Sequence, residues 1–190
     1  MVFLKKSMIA ILVVVGLVLI VGISAISGYN SMVSLRETVD KSYSTIDVQL
    51  KRRNDLIPNL VNTVKGYAAH ETEAIDSVTN ARAAMMGAGN QTETAQADQE
   101  LTGALSRLMA ISENYPDLKA NQNFMQLSDE LSGTENRIGV ARQDYNDAAR
   151  QYNTKIKSFP GNLFAGMLGF EQVSYFEASE QDKQTPVVEF

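Results

Sequence analysis

The sequence predicts an all-α protein, with an N-terminal transmembrane helix followed by an antiparallel helical bundle. Three observations carry this. No charged residue stands between Lys6 and Arg36, and the run from Ser7 to Ile26 is overwhelmingly aliphatic, matching the ~20 apolar residues a helix needs to cross a bilayer. Beyond that run, apolar residues recur every three or four positions, the mark of helices with one buried face. No stretch alternates for long enough to build a sheet.

The expected organisation is an anchor at residues 1–28, with its transmembrane helix at about 7–27, then a bundle at 29–160 and a C-terminal apolar segment with a polar tail at 161–190. A removable signal peptide is the competing reading, since Ala25-Ile26-Ser27 precedes Gly28 and Lys5-Lys6 could serve as its charged start. A signal-peptide apolar region usually runs only about 7–15 residues, so an uncleaved anchor fits better. The absence of cysteine excludes a lipid-anchored lipoprotein. Lys5 and Lys6 precede the span, whereas Arg36 and Lys41 follow it beside Glu37 and Asp40. Acidic residues count little in the positive-inside rule, so the bias favours a cytoplasmic N-terminus and a bundle outside the cell membrane.

Composition narrows the function. A formal charge of −5 argues against a nucleic-acid partner, because phosphate binding needs a basic surface. Zero Cys removes disulfides, thiolate metal sites and cysteine nucleophiles together. With 44% hydrophobic residues, the chain after the anchor can supply the core of one domain.

The helices follow from the apolar spacing. Met32, Leu35, Val39, Tyr43, Ile46 and Leu50 form one stripe, which resumes after Arg53 at Ile57, Leu60, Val64, Tyr67, Ala74, Val78, Ala81 and Met85. Gly87-Ala-Gly89-Asn90 ends it, because glycines supply left-handed helix caps. A further helix runs from about Glu93 to Asn114, with Ala97, Leu101, Leu105, Leu108 and Ile111 inward. Tyr115-Pro116 stops it, since the residue before proline is pushed out of helical conformation. Phe124, Leu127, Leu131, Thr134, Ile138, Ala141, Tyr145, Ala148 and Tyr152 then alternate by three and four up to Ser158-Phe159-Pro160-Gly161. A seam of this kind packs against other helices.

Pro58 decides how many helices the bundle has. A straight helix from Met32 to Met85 would extend about 80 Å, against about 33 and 55 Å for the next two, leaving the Met32–Leu50 stripe uncovered. A reversal at Arg53-Asn54-Asp55, with Pro58 in the first turn of the next helix, matches the lengths. Proline is tolerated there because its missing N–H has no helical partner anyway. Four antiparallel helices are therefore favoured, with a kinked first helix in a three-helix bundle as the alternative. In the four-helix arrangement Lys51-Arg52-Arg53 caps the end of a helix, where cations are favoured by the dipole.

Little in the chain points to catalysis. His70-Glu71 begins like a zinc-protease motif, but Ala74 stands where the second His belongs. His70, Glu71, Glu73 and Asp76 read as a solvated helix face, and Asp129-Glu130 likewise. No phosphate-binding glycine loop, nucleophile elbow or Cys/His pair is present. The expectation is a protein that is not an enzyme and takes no cofactor or metal. Residues 159–170, FPGNLFAGMLGF, are more informative, since no charge lies between Lys157 and Glu171. Antiparallel helices would deliver this segment to the bilayer surface, where Phe164, Met167 and Leu168 are candidate interfacial or partner contacts. Folding over the open end of the bundle as an apolar cap is the alternative.

Taken together, the blocks DVQLKRRNDLIPNLV from Asp47 to Val61, Val64-Lys-Gly-Tyr-Ala68, Ala81-Arg-Ala-Ala84, YPDLKANQNF from Tyr115 to Phe124 and Thr134-Glu-Asn-Arg-Ile138 resemble the LemA family. Tyr145-Asn146, Tyr152-Asn-Thr154, Phe159-Pro160 and Gly169-Phe170 extend the resemblance, which covers essentially the chain from Tyr29 onward. It implies a bacterial single-pass membrane protein with a helical-bundle domain, and no defined activity. One branch of that family is associated with magnetosome membrane formation, and no residue here assigns the chain to it. The motif residues also have structural uses. Asp117 and Asn121 stand where a side-chain oxygen can cap the last long helix. Tyr145 and Tyr152 sit on the core stripe, and Asn136 and Arg137 beside Glu135 can join an inter-helix polar network.

The expected function is a non-enzymatic, membrane-anchored scaffold or adaptor that meets lipid through its N-terminal helix and recruits an unknown membrane or envelope protein partner. The alternative is a membrane-shaping protein that forms a homo-oligomer at the bilayer surface.

Overall fold

The computed structural model describes residues 2–177, so the part of the expected polar tail at 178–190 lies outside the described residues. The described chain is all-helical: α1 (Val2–Lys65), α2 (Thr72–Gly87), α3 (Gln91–Ser112), the single turn α4 (Pro116–Lys119) and α5 (Gln122–Lys157), followed by two short 3₁₀ turns. Helix α1 contains the one stretch among the described residues that is long and apolar enough to cross a membrane, and none of that stretch is buried by protein. The chain divides into two compact units. An anchor unit comprises the chain up to Ser42 with Asp144–Tyr175, and a bundle unit comprises Tyr43–Gln143 with the chain from Phe176.

In the bundle unit, four helices share one core. Ile57, Leu60 and Val64 of α1 pack with Ile75 and Val78 of α2, Leu101 and Leu108 of α3, and Phe124 and Leu131 of α5, with Leu118 of α4 closing the cluster. Leu127 packs against it half-buried, and Ile138 is fully buried. Helices α1 and α5 run antiparallel here, because Gln49 meets Arg137 while Arg53, one turn further along α1, meets Glu135. Local chemistry sets the helix starts. The Asn90 side chain accepts the Glu93 N–H at 2.9 Å while the Glu93 carboxylate accepts the Gly89 N–H at 2.7 Å, a reciprocal cap for α3. Asn121 accepts the Phe124 N–H at 3.1 Å and so caps α5, as its position suggested.

The expected reversal at Arg53–Pro58 does not occur. Helix α1 continues through Pro58 to Lys65, and the chain turns at residues 66–71 instead. Proline inside a helix orphans the carbonyl four residues earlier, which here belongs to Asn54. That carbonyl accepts a hydrogen bond from Arg82 Nε of α2 at 3.2 Å. The helix passes through its proline because a neighbouring helix satisfies what the proline leaves open. The bundle still has four helices in cross-section, but α2 begins after the turn, and Tyr67, expected on the buried stripe, is exposed in it.

The anchor unit is an antiparallel pairing of α1 with the last turns of α5. Met32 and Val39 of α1 and Tyr152 and Ile156 of α5 are all buried, and the Arg36 guanidinium lies over the Tyr152 ring at 5.9 Å.

Candidate functional site

The candidate interfacial segment forms a hook on the anchor unit. Helix α5 ends at Lys157, and the chain makes 3₁₀ turns at Gly161–Leu163 and Gly166–Leu168. The second turn closes at Gly169, whose φ of 78° is left-handed and favours glycine. Gly161 is required for a different reason. A Cβ there would lie 2.7 Å from the Lys155 carbonyl oxygen and 2.8 Å from the Met32 side chain. Beyond the hook the chain is clamped to α5. Asn153 donates to the Val173 carbonyl at 2.9 Å and accepts its N–H at 3.0 Å, and the Tyr145 hydroxyl donates to the Ser174 carbonyl at 3.0 Å. Phe170 meets the Tyr29 ring edge-on at 5.6 Å.

These constraints hold apolar side chains outward. Phe159 is 81% exposed and Met167 85%, and Leu163 and Leu168 are also exposed. Only Ala165 is fully buried, while Phe164 and Phe170 are half-buried. Of the three candidate contacts, Phe164 and Leu168 line an apolar cleft of about 280 Å³ shared with Ile20, Ala25, Gly28 and Met32 of α1. Met167 is not part of that lining and points elsewhere. Replacing Gly161 with Ala should detach the hook, because the added methyl meets a backbone carbonyl that cannot rotate away. Hydrogen exchange at the Val173 amide and through 159–170 is expected to quicken while the bundle unit keeps its protection.

The bundle unit holds a cluster that sequence reasoning missed. Arg53, expected to cap a helix end at the surface, is 1% exposed and lies mid-helix. Its guanidinium pairs with Asp98 of α3 and Glu135 of α5, and also donates to Thr102 Oγ1 at 3.1 Å and to the Asp98 carbonyl at 3.2 Å. Arg142 pairs with the second oxygen of Asp98 and stacks on Phe176, whose ring lies 5.4 Å from its guanidinium carbon. Of the expected polar network, Glu135 pairs with Arg53 and Arg137 donates to Gln49 at 3.1 Å, while Asn136 is exposed. The one signal in the sequence was the position of Asp98 beside Ala97 on the inward face of its helix, where an acid needs a buried cation. The cluster is tied up in structural pairs, and its reach is across helices rather than toward an open site.

His70 lies exposed in the turn between α1 and α2. Its neighbour Glu71 accepts a hydrogen bond from the Tyr115 hydroxyl at 2.8 Å. That bond to a carboxylate, with burial adding to it, holds the Tyr115 phenol above its usual pKa of 10.0. A raised folded value means that this bond's contribution is complete below the unfolded pKa and is lost as pH rises through the folded one. Phenolate absorbance should therefore show Tyr115 ionising above its usual range, and Tyr115→Phe should remove that contribution.

Comparison with known proteins adds a family frame. The LemA family profile matches residues 42–190. The chain is 27% identical to the magnetosome protein MamQ 2 of Paramagnetospirillum magneticum, over 84% of this chain and 68% of that protein. It is 26% identical to the magnetosome protein MamQ of Magnetospirillum gryphiswaldense with the same coverage. It is 27% identical to the protein LemA of Metamycoplasma hominis, over 81% of this chain and 71% of that protein.

Proposed function

The chain belongs to the LemA family, and from that premise we propose that it is a non-enzymatic scaffold or adaptor, anchored in a bacterial cell membrane by α1 and acting through membrane or envelope protein partners. The N-terminus is cytoplasmic and the bundle lies outside, in keeping with Lys5 and Lys6 ahead of the span. The observation that carries the reading is the outward-facing hook, tied back through Asn153 and Tyr145, beside Ile20–Met32 of the same helix that supplies the anchor. Two membrane contacts, one spanning and one interfacial, hold the anchor unit on a bilayer where a single helix would let it pivot. The anchor unit held in this way is a platform for partners at the membrane.

Proximity labelling with the full chain in its native membrane tests the proposal. The control is the α1 anchor fused to an unrelated bundle. A reproducible set of envelope proteins labelled by the full chain and not by the control supports the adaptor reading. Identical sets overturn it. A second reading is favoured by the same exposed side chains: a homo-oligomer whose hooks wedge into one leaflet and bend it. Tubulation of proteoliposomes by the full chain, abolished by Met167→Asp, would support membrane shaping, and spherical vesicles at high protein density would reject it.

A further inference from the structure

We propose that the cleft between the hook and α1 is a binding site for one anionic phospholipid, with an acyl chain lying between α1 and the hook and the phosphate drawn to the level of the last turn of α5 by the positive charge of Lys155 and Lys157. The inference rests on the reading above, that α1 spans the bilayer and the hook meets it.

The cleft fits a single chain better than a whole lipid or a larger ligand. Its volume of about 280 Å³ falls just below the range of roughly 300–1,000 Å³ usual for pockets that enclose a small molecule. Its walls are Ile20, Ala25 and Gly28 on one side and Phe164 and Leu168 on the other, with Met32 at one end. The hollow exists because α1 carries small residues there: a Cβ built at Gly28 meets nothing within 4 Å. Along α1, Ile20 to Met32 covers about 18 Å. With the span ending near residue 27, Ile20 and Ala25 stand at hydrocarbon depth, and Met32 about 8 Å beyond it, among headgroups. The cleft is therefore continuous with the lipid-facing surface of α1, and the solvent filling its deep end is acyl chain.

The other end supplies the charge. A Cβ at Gly161 would meet both Met32 and the Lys155 carbonyl, which puts the last turn of α5 level with Met32. That turn carries Lys155 and Lys157, and neither makes an ion pair among the described residues. Two residues apart on a helix, they project to opposite sides of α5, so they charge the headgroup level around the cleft rather than clasp one phosphate between them. Juxtamembrane lysines of this kind favour anionic lipid. An apolar slot that opens at a headgroup level carrying these charges suits an acyl chain bearing a phosphate.

The test uses the full chain in nanodiscs of phosphatidylcholine containing a minority of phosphatidylglycerol, with photoactivatable analogues of each lipid carrying a diazirine in the acyl chain. Adducts from the phosphatidylglycerol probe are expected on Ala25, Phe164 and Leu168, and fewer from the phosphatidylcholine probe. Gly28→Leu fills open space in the cleft and should abolish those adducts, whereas Gly28→Ala should keep most of them. Lys155→Gln with Lys157→Gln should erase the preference for phosphatidylglycerol and leave the adduct positions unchanged. Adducts spread evenly around Ile11–Ile26, adducts insensitive to Gly28→Leu, equal labelling by both lipids, or cross-links between two copies at the cleft would each overturn the proposal. Because the chain has no cysteine, a polarity-sensitive dye on Met167→Cys separates the two readings. A dye in water removes the two-contact platform itself, and a dye in lipid with scattered adducts removes only the binding site.

Discussion

Replacing Asp98 with Asn will destabilise the bundle unit by about 3–5 kcal/mol, the usual cost of removing one partner from a buried ion pair. Asp98 is 1% exposed, and its two oxygens answer two guanidiniums, Arg53 and Arg142. An amide at this position leaves those cations facing one another, with only Glu135, 44% exposed, to balance them. The fall in urea midpoint of the full chain in detergent, followed by helical circular dichroism, measures the loss. Arg53→Met should cost less, because Asp98 retains Arg142 and an apolar stem still fills the space between α1, α3 and α5. A smaller effect for Asp98→Asn than for Arg53→Met would show that the cluster is solvated and contributes no specific pairing.

Replacing Leu131 with Ala is expected to cost about 2–5 kcal/mol, the range for a large-to-small change in a packed core. Leu131 lies in the cluster that joins Ile57 and Leu60 of α1 to Leu105 and Leu108 of α3, so the cavity would open where three helices meet. The same unfolding measurement reads it. Asp98 and Leu131 act through different physics, one through unpaired charge and one through lost contacts.

The apolar periodicity located most of the buried residues. Met32, Val39, Ile46, Leu50, Ile57, Leu60 and Val64 are all buried on α1, and so are Phe124, Leu131, Ile138, Tyr145 and Tyr152 on α5. Some caps and breaks were also legible, because Asn121 and Pro116 act on their own neighbours, but the left-handed glycine cap expected at Gly87–Gly89 is absent: α2 ends at Ala88 in extended backbone, and Asn90 caps α3 instead. The hook was legible in part. Its lack of charge pointed to an unusual surface, but the division of labour was not visible, with Phe164 and Leu168 turned into a cleft and Met167 turned out of it. That division depends on Gly161 packing against Met32, residues far apart in the chain.

What the sequence by itself determined is whatever depends on near neighbours: the helical class, the apolar stretch at the N-terminus, the seams of α1 and α5, the cap residues and the uncharged hook. Tertiary structure decided the rest, because the deciding partners come from other helices. Pro58 reads as a helix start until Arg82 arrives to take the Asn54 carbonyl. Arg53 reads as a surface cap until Asp98 and Glu135 close around it. In both places the local preference is worth only a few kcal/mol at most. A hydrogen bond or ion pair made in the low dielectric of a packed interior is enough to reverse it.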